Sequence, residues 1–179
     1  KPKSERCEGL AKDVITYGQW MYEEAQKSLG NFYPKIKVSA EIVNKRPDLK
    51  AYENKNLNII AWIWARTVKS PNPAFSHVDV PLVSTFMLST KKGKEAYIQP
   101  ILEDNTYLFS CKIGNPKEKE QTQKGTSAGK RAGFRCLMTG DPISYDYIRS
   151  EGMAGQIGSR LMAVVAEGTR ERIYLDPTP

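Results

Sequence analysis

The sequence has no long apolar run. Its longest, Ile59 to Ala65, falls far short of the ~20 residues a transmembrane helix needs. With 26% charged residues and a mean hydropathy of −0.53, no membrane partner is expected. Lys1 to Arg6 has no apolar stretch behind it, so a signal peptide is not expected either, and the missing initial Met suggests a piece of a longer chain. There is a single histidine, which by itself builds neither a catalytic triad nor a histidine-rich metal centre. The three cysteines, Cys7, Cys111 and Cys136, are odd in number and widely scattered. That is no disulfide framework, and it points to a reducing cytoplasm. Acidic residues are in deficit: 20 Asp and Glu stand against 27 Lys and Arg, a formal net charge of +7. Such a surface is either simply soluble or suited to a polyanion, because clustered cations release counterions from phosphate. No internal repeat is visible.

What remains is enough for one ordinary domain, or one with a small satellite, over 179 residues of which 40% are apolar. A chain of this size buries roughly 70% of its unfolded surface. Leu10, Val14, Tyr17, Met21, Ala25 and Leu29 recur at helical spacing with charges between them, which predicts an amphipathic helix from about Ser4 to Leu29. Pro34 prevents its continuation. Ile36, Val38 and Ala40 alternate as on a short strand, and Asn44 to Asn56 reads as a loop or helical turn. Leu57 to Val68 is the clearest strand. Its two faces, Ile59, Ala61, Ile63, Ala65 and Ile60, Trp62, Trp64, Arg66, are both largely apolar, so most of it is expected to be buried. Ser70 to Val80 reads as a connection. Leu82 to Leu88 reads as a strand antiparallel to the first, Ala96 to Leu102 and Thr106 to Ile113 as two more, and Phe134 to Met138 as a short one. Ser144 to Glu151 suits a short helix, and Leu161 to Ala166 with Arg172 to Leu175 a hairpin. Gly114 to Gly133 has almost nothing apolar, cannot offset its own ordering entropy, and is expected to be a mobile basic loop. The fold class is therefore α+β: an N-terminal helix (1–34), then a mainly antiparallel β domain (35–179).

Several features invite a chemical reading. Gly152, Gly155 and Gly158 resemble a phosphate-cradling loop only in spacing, since such loops run from strand to helix and here the order is reversed. Backbone freedom at a sharp crossing is the reading adopted. Asn72-Pro73-Ala74-Phe75 follows a strand, as does the Asn/Asp-Pro-Pro-aromatic motif with which amino-methylating enzymes hold a flipped base. The second proline is missing, however, and no glycine-rich turn for S-adenosylmethionine accompanies it. His77 is read as an ordinary loop residue, and Glu23-Glu24 as a solvated helix face. Basic residues interleaved with aromatics offer more: Arg66 and Lys69 beside Trp62 and Trp64, and Lys124, Lys130, Arg131 and Arg135 in and after the basic loop. These six cations are the candidate nucleic-acid contacts. The two tryptophans are expected to pack in the core, with base stacking as the alternative.

Taken together, Glu41 to Leu49 (EIVNKRPDL), Ile60 to Val68 (IAWIWARTV), Pro81 to Ser84 (PLVS), Lys91 to Tyr97 (KKGKEAY), Asp146 to Arg149 (DYIR), Glu151-Gly152 and Arg160 to Gly168 (RLMAVVAEG) resemble one family. It is that of the large adenine-specific DNA methylases with an embedded zinc ribbon. The resemblance runs through most of the chain and rests on the order and spacing of these segments. It implies an insert within a methylase whose catalytic core and S-adenosylmethionine site lie elsewhere, so no catalytic or cofactor-binding residue is carried over. Its expected partners are DNA and the rest of the methylase chain.

The zinc site is where this sequence departs from the family. Its pattern Cys-Pro-Asn-Pro-x-Cys-Gly falls on Ser70 and Phe75, with Pro71-Asn72-Pro73 retained, and the later knuckle falls on Cys136 and Thr139-Gly140. Of the four ligand positions only Cys136 keeps a thiol, and structural zinc takes four ligands. A degenerate knuckle without metal is therefore expected, closed by packing, with Phe75 at least partly buried near Cys136. The resemblance implies a non-catalytic region that assists DNA binding or target recognition, the alternative being a module that docks on the methylase core or on a partner protein.

Overall fold

The computed structural model describes residues 3–177, with side chains from Gly9 onward, so the side chain of Cys7 lies outside the described residues. The chain divides into two compact units, 1–59 and 60–179. In the first, helix α1 (Lys3–Leu29) forms as the periodicity predicts. Its apolar stripe is exposed, with Leu10, Val14, Tyr17 and Met21 each retaining between 64% and 67% of their accessible surface. A 3-10 turn follows, then strand β1 (Lys35–Lys37) and helix α2 (Ala40–Lys45). Ala40 thus opens a helix instead of ending a strand, because the Ser39 hydroxyl caps it by accepting from Ile42 N. A 3-10 helix (Pro47–Tyr52) leads into the long strand β2 (Asn56–Lys69), whose first residues pair antiparallel with β1. Asn54 and Lys55 exchange backbone hydrogen bonds with Val38 and hold residues 38–55 as a closed loop.

In the second unit, β2 continues with β3 (Asp79–Pro81) antiparallel to it, in register Thr67↔Pro81 and Lys69↔Asp79. The strand expected over Leu82–Leu88 is corrected. Leu82 N still bonds Arg66 O, but Val83 gives its backbone to Thr126. The chain then leaves β2 for a second sheet, β4 (Met87–Ser89), β5 (Ala96–Glu103) and β6 (Thr106–Ile113). The hairpin β5–β6 has an unbroken register from Ala96↔Ile113 to Glu103↔Thr106. Helix α3 (Lys119–Lys124), the short pair β7 (Phe134–Arg135) and β8 (Pro142–Ile143), and helix α4 (Tyr145–Met153) follow. The terminal hairpin β9 (Gly158–Gly168) and β10 (Glu171–Leu175) completes the first sheet, with β9 beside β2. The protein is α+β and mainly antiparallel. No described helix is long and apolar enough to cross a membrane.

The core lies between the two sheets, where Ala65, Met162 and Val165 meet Phe86, Ile98, Tyr107 and Phe109. A smaller cluster of Val68, Val80, Cys136 and Ile143 is closed by Tyr147 and Ile148 of α4. The three glycines of the 152–158 run hold no loop between strand and helix. At Gly158 a Cβ would come within 2.6 Å of the Thr67 hydroxyl, so β9 passes β2 closely there.

Residues 114–133 do not form a loop without structure of its own. They contain α3, and Thr122 and Thr126 are buried. The Thr126 hydroxyl donates to Pro81 O (2.6 Å) and accepts from Val83 N (3.0 Å). Phe86 N bonds Thr122 O and Arg135 N bonds Thr126 O. The segment is anchored by backbone hydrogen bonds and two small hydroxyl side chains, a source of order that an apolar count does not register.

Candidate nucleic-acid interface

Two turns face each other at the end of the smaller core cluster. In one, Asn72 Oδ1 accepts from Ala74 N (3.0 Å) and Phe75 N closes onto Asn72 O, an Asx-type turn built on Pro71-Asn72-Pro73. In the other, Cys136 O accepts from Gly140 N at 2.9 Å. The Asn72 amide bridges them by donating to Asp141 Oδ2 at 2.8 Å. Ser70 Oγ stands 3.8 Å from Cys136 Sγ, and both residues are buried. Burial pushes the Cys136 thiol up, but hydrogen bonds from the Thr139 hydroxyl, the Thr139 and Met138 amides and the Ser70 hydroxyl outweigh it and hold the thiol below its ordinary range. The Asn72 amide, then the Thr139 hydroxyl, hold the Asp141 carboxyl below its usual range. Thr139 has one hydroxyl proton, so it serves the sulfur or the carboxylate, not both at once.

Ser70, Cys136 and Thr139 thus come together, and Phe75 lies half-buried against the main core. This donor set does not fit zinc. It offers one sulfur, whose neighbours are hydrogen-bond donors instead of anionic ligands, and no group of three or more His, Cys, Asp or Glu is placed to hold a metal among the described residues. Purified protein is expected to contain substoichiometric zinc, and a chelator should leave its thermal midpoint unchanged; unfolding by chelator would refute this.

The six candidate contacts divide into two groups. Lys69 is tied down by an ion pair with Asp79 (2.9 Å) and a bond to His77 O. Arg66 is exposed on β2 and makes no ion pair among the described residues. Lys124 pairs with Glu120 at 2.6 Å on the surface of α3. The same lysine holds the Glu120 carboxyl below its ordinary value. Arg135 donates to Gly140 O. Lys124 and Arg135 border one open groove of about 820 Å³, along with Lys117, Lys119, Glu118 and Glu120. Lys130 and Arg131 occupy the centre of a tight turn closed by Ala132 N on Gly129 O, and Arg131 adopts φ +64°. A left-handed residue at this position is normally glycine or asparagine.

The tryptophans of β2 are not core residues of the kind expected. Trp64 keeps 56% of its surface and Ile60 45%, and Trp62 is half-buried. Only the Ile63 and Ala65 face meets the main core. The sequence reading passed over a second basic cluster. The turn at Lys91–Lys94 and the β9–β10 turn at Arg170–Arg172 border one cleft of about 550 Å³ with Ile60 and Tyr174. Its only signal in the sequence is the basic character of two turns separated by more than seventy residues.

Comparison with family models, with curated proteins and with solved structures gives no match for this chain.

Proposed function

We propose that this chain is the non-catalytic region of an S-adenosylmethionine-dependent, adenine-specific DNA methyltransferase, and that it assists DNA binding or target recognition. The family resemblance supports the parent activity. The observation that carries the local role is the gathering of Lys117, Lys119, Lys124 and Arg135 around one open groove, on a segment anchored by Thr122 and Thr126. Cations held on an ordered scaffold neutralise backbone phosphates with little further ordering cost, and such contacts position DNA without reading its bases. The methyl donor and the flipped adenine belong to the remainder of the parent chain; nothing between Lys3 and Pro177 is assigned a catalytic role.

Salt-titrated DNA binding tests this. Each phosphate neutralised contributes about −0.9 to the slope of log affinity against log salt. Replacing Lys117, Lys119 and Lys124, which all border the groove, with alanine is expected to flatten that slope by up to about 3 units. Stability should change little, because the Lys124–Glu120 pair lies on the surface, screened by solvent. An unchanged slope would show this surface to be a bystander, and absence of DNA binding at low salt would refute the role.

A second reading, a protein-docking module, is favoured by one observation. The apolar stripe of α1 stands exposed over three turns and more, with Trp20 and Phe32 also open. An amphipathic helix in this state suits a partner groove or a partner helix, on the methylase core or on another protein.

A further inference from the structure

We infer that the open face of β2, with the cleft at its Ile60 end, binds a single-stranded segment of nucleic acid, phosphates in the cleft and a base stacked on Trp64. The inference rests on the DNA-binding reading above and deepens it by naming a second surface and the form of nucleic acid that fits it.

Three observations converge on this face. The first is geometric. β2 sends Ile63 and Ala65 into the core, so strand alternation puts Ile60, Trp62, Trp64 and Arg66 on the opposite face. Ile60 also lines the cleft. Trp64 and the exposed Arg66 lie further along the same strand from Ile60, at a rise of about 3.3 Å per residue. From Ile60 to Trp64 that is roughly 13 Å.

The second is electrostatic. Lys91, Lys94, Arg170 and Arg172 surround the cleft against Glu167 and Glu171, and Lys94 already neutralises Glu171 at 3.0 Å. Lys91, Arg170 and Arg172 make no ion pair among the described residues. Three uncommitted cations against one carboxylate leave the cleft positive, and their separation over two turns suits successive phosphates along a backbone.

The third is the backbone at Arg170. The β9–β10 turn is closed by the pair Gly168↔Glu171, and Arg170 in it has φ +61°. Glycine would adopt this conformation without strain. Apart from an asparagine, the only described non-glycine residues at positive φ are Arg131 and Arg170, and each places a guanidinium at the tip of a basic turn. Strain retained under a charged side chain, where a smaller residue would relieve it, marks a position kept for what the side chain contacts.

A single strand is the form that fits. Its bases have free faces for an exposed indole, whereas duplex bases are already stacked. The cleft supplies the charged track and Trp64 the stacking platform, the two parts of sequence-tolerant single-strand binding.

The test uses the whole chain, with fluorescence polarisation of a short labelled oligothymidylate and of a duplex of equal length. Trp64→Ala is expected to weaken oligothymidylate binding about 5- to 100-fold with an unchanged salt slope, and Trp64→Phe to restore most of it. Arg170→Gly combined with Arg172→Ala should instead flatten the single-strand salt slope by about 1.4 units. Trp64 is a surface residue, so the alanine variant should keep the wild-type thermal midpoint. Equal oligothymidylate binding by wild type and Trp64→Ala would overturn the inference. So would binding of the duplex alone, which would leave the accessory DNA role standing. Failure to bind either would remove both.

Discussion

Gly133→Ala is expected to destabilise the protein by about 3 kcal/mol or more, a fall of at least about 6 °C in thermal midpoint for a chain of this size. Gly133 has φ +80°, and a Cβ there would stand 2.1 Å from the carbonyl oxygen of Ile143. That oxygen belongs to backbone, on the residue paired with Phe134, and cannot swing aside as a side-chain tip would. Relief requires the β7–β8 pair to open, with loss of the Ala128 N to Gly133 O bond and the Ser127↔Phe134 bridge. Gly93→Ala is the matched control: its φ is +76°, but nothing lies within 4 Å of its would-be Cβ, so it should cost only the left-handed penalty of about 1 kcal/mol. Urea unfolding of the two variants separates the close approach from the conformational cost. Equal losses would mean that the 126–135 segment yields freely and is not anchored. Because Lys130, Arg131 and Arg135 ride on this segment, Gly133→Ala should also weaken the proposed DNA binding without removing a charge.

The second large effect appears in alkali. Tyr107 is fully buried in the main core, and its hydroxyl donates to Asp79 O at 2.5 Å. Burial pushes its pKa up to about 12; the Arg160 guanidinium, 4.0 Å from the ring centroid, opposes this without cancelling it. The folded state keeps the phenol protonated while the unfolded chain ionises near pH 10. The stabilisation is therefore complete below pH 10 and is lost as pH rises through about 12, at up to about 1.4 kcal/mol per pH unit and about 3 kcal/mol in total. Tyr107→Phe should cost about 1 kcal/mol at neutral pH, since Asp79 O loses its partner. The variant lacks the alkaline loss, so the two stability curves should cross between pH 10 and 12. Denaturant titrations at intervals of half a pH unit would show the crossing. Parallel curves would mean that Tyr107 ionises in the folded state as readily as in the unfolded one.

Much of the secondary structure was legible because its causes are local. The period of Leu10 to Leu29 gives α1, although Val14 and its neighbours remain exposed. The β-branched and aromatic run of β2 and the Glu103-Asp104-Asn105 turn between β5 and β6 are equally direct. Two misreadings have one origin. Residues 114–133 looked too polar to be ordered, and Leu82–Leu88 looked apolar enough to continue as a strand beside β2. Both depend on Thr126, whose hydroxyl and backbone bind Pro81 and Val83 across more than forty residues of sequence. A threonine in a polar stretch carries no mark of such a partnership.

The candidate contacts follow the same division. That Arg66, Lys124, Lys130, Arg131 and Arg135 are cations among turn-forming or aromatic residues is a property of the sequence, and so is the absence of thiols at Ser70, Phe75 and Thr139. Only the tertiary structure placed Ser70 against Cys136, engaged Lys69 with Asp79, left Trp64 on an uncovered face, and closed the turn at Lys91–Lys94 onto that at Arg170–Arg172. Periodicity and turn chemistry act over a few residues, so the sequence by itself determined most of the elements and their order. Which face of a strand is covered, and which charges meet, depends on contacts between residues far apart in the chain, and those exist only once the sheets have packed.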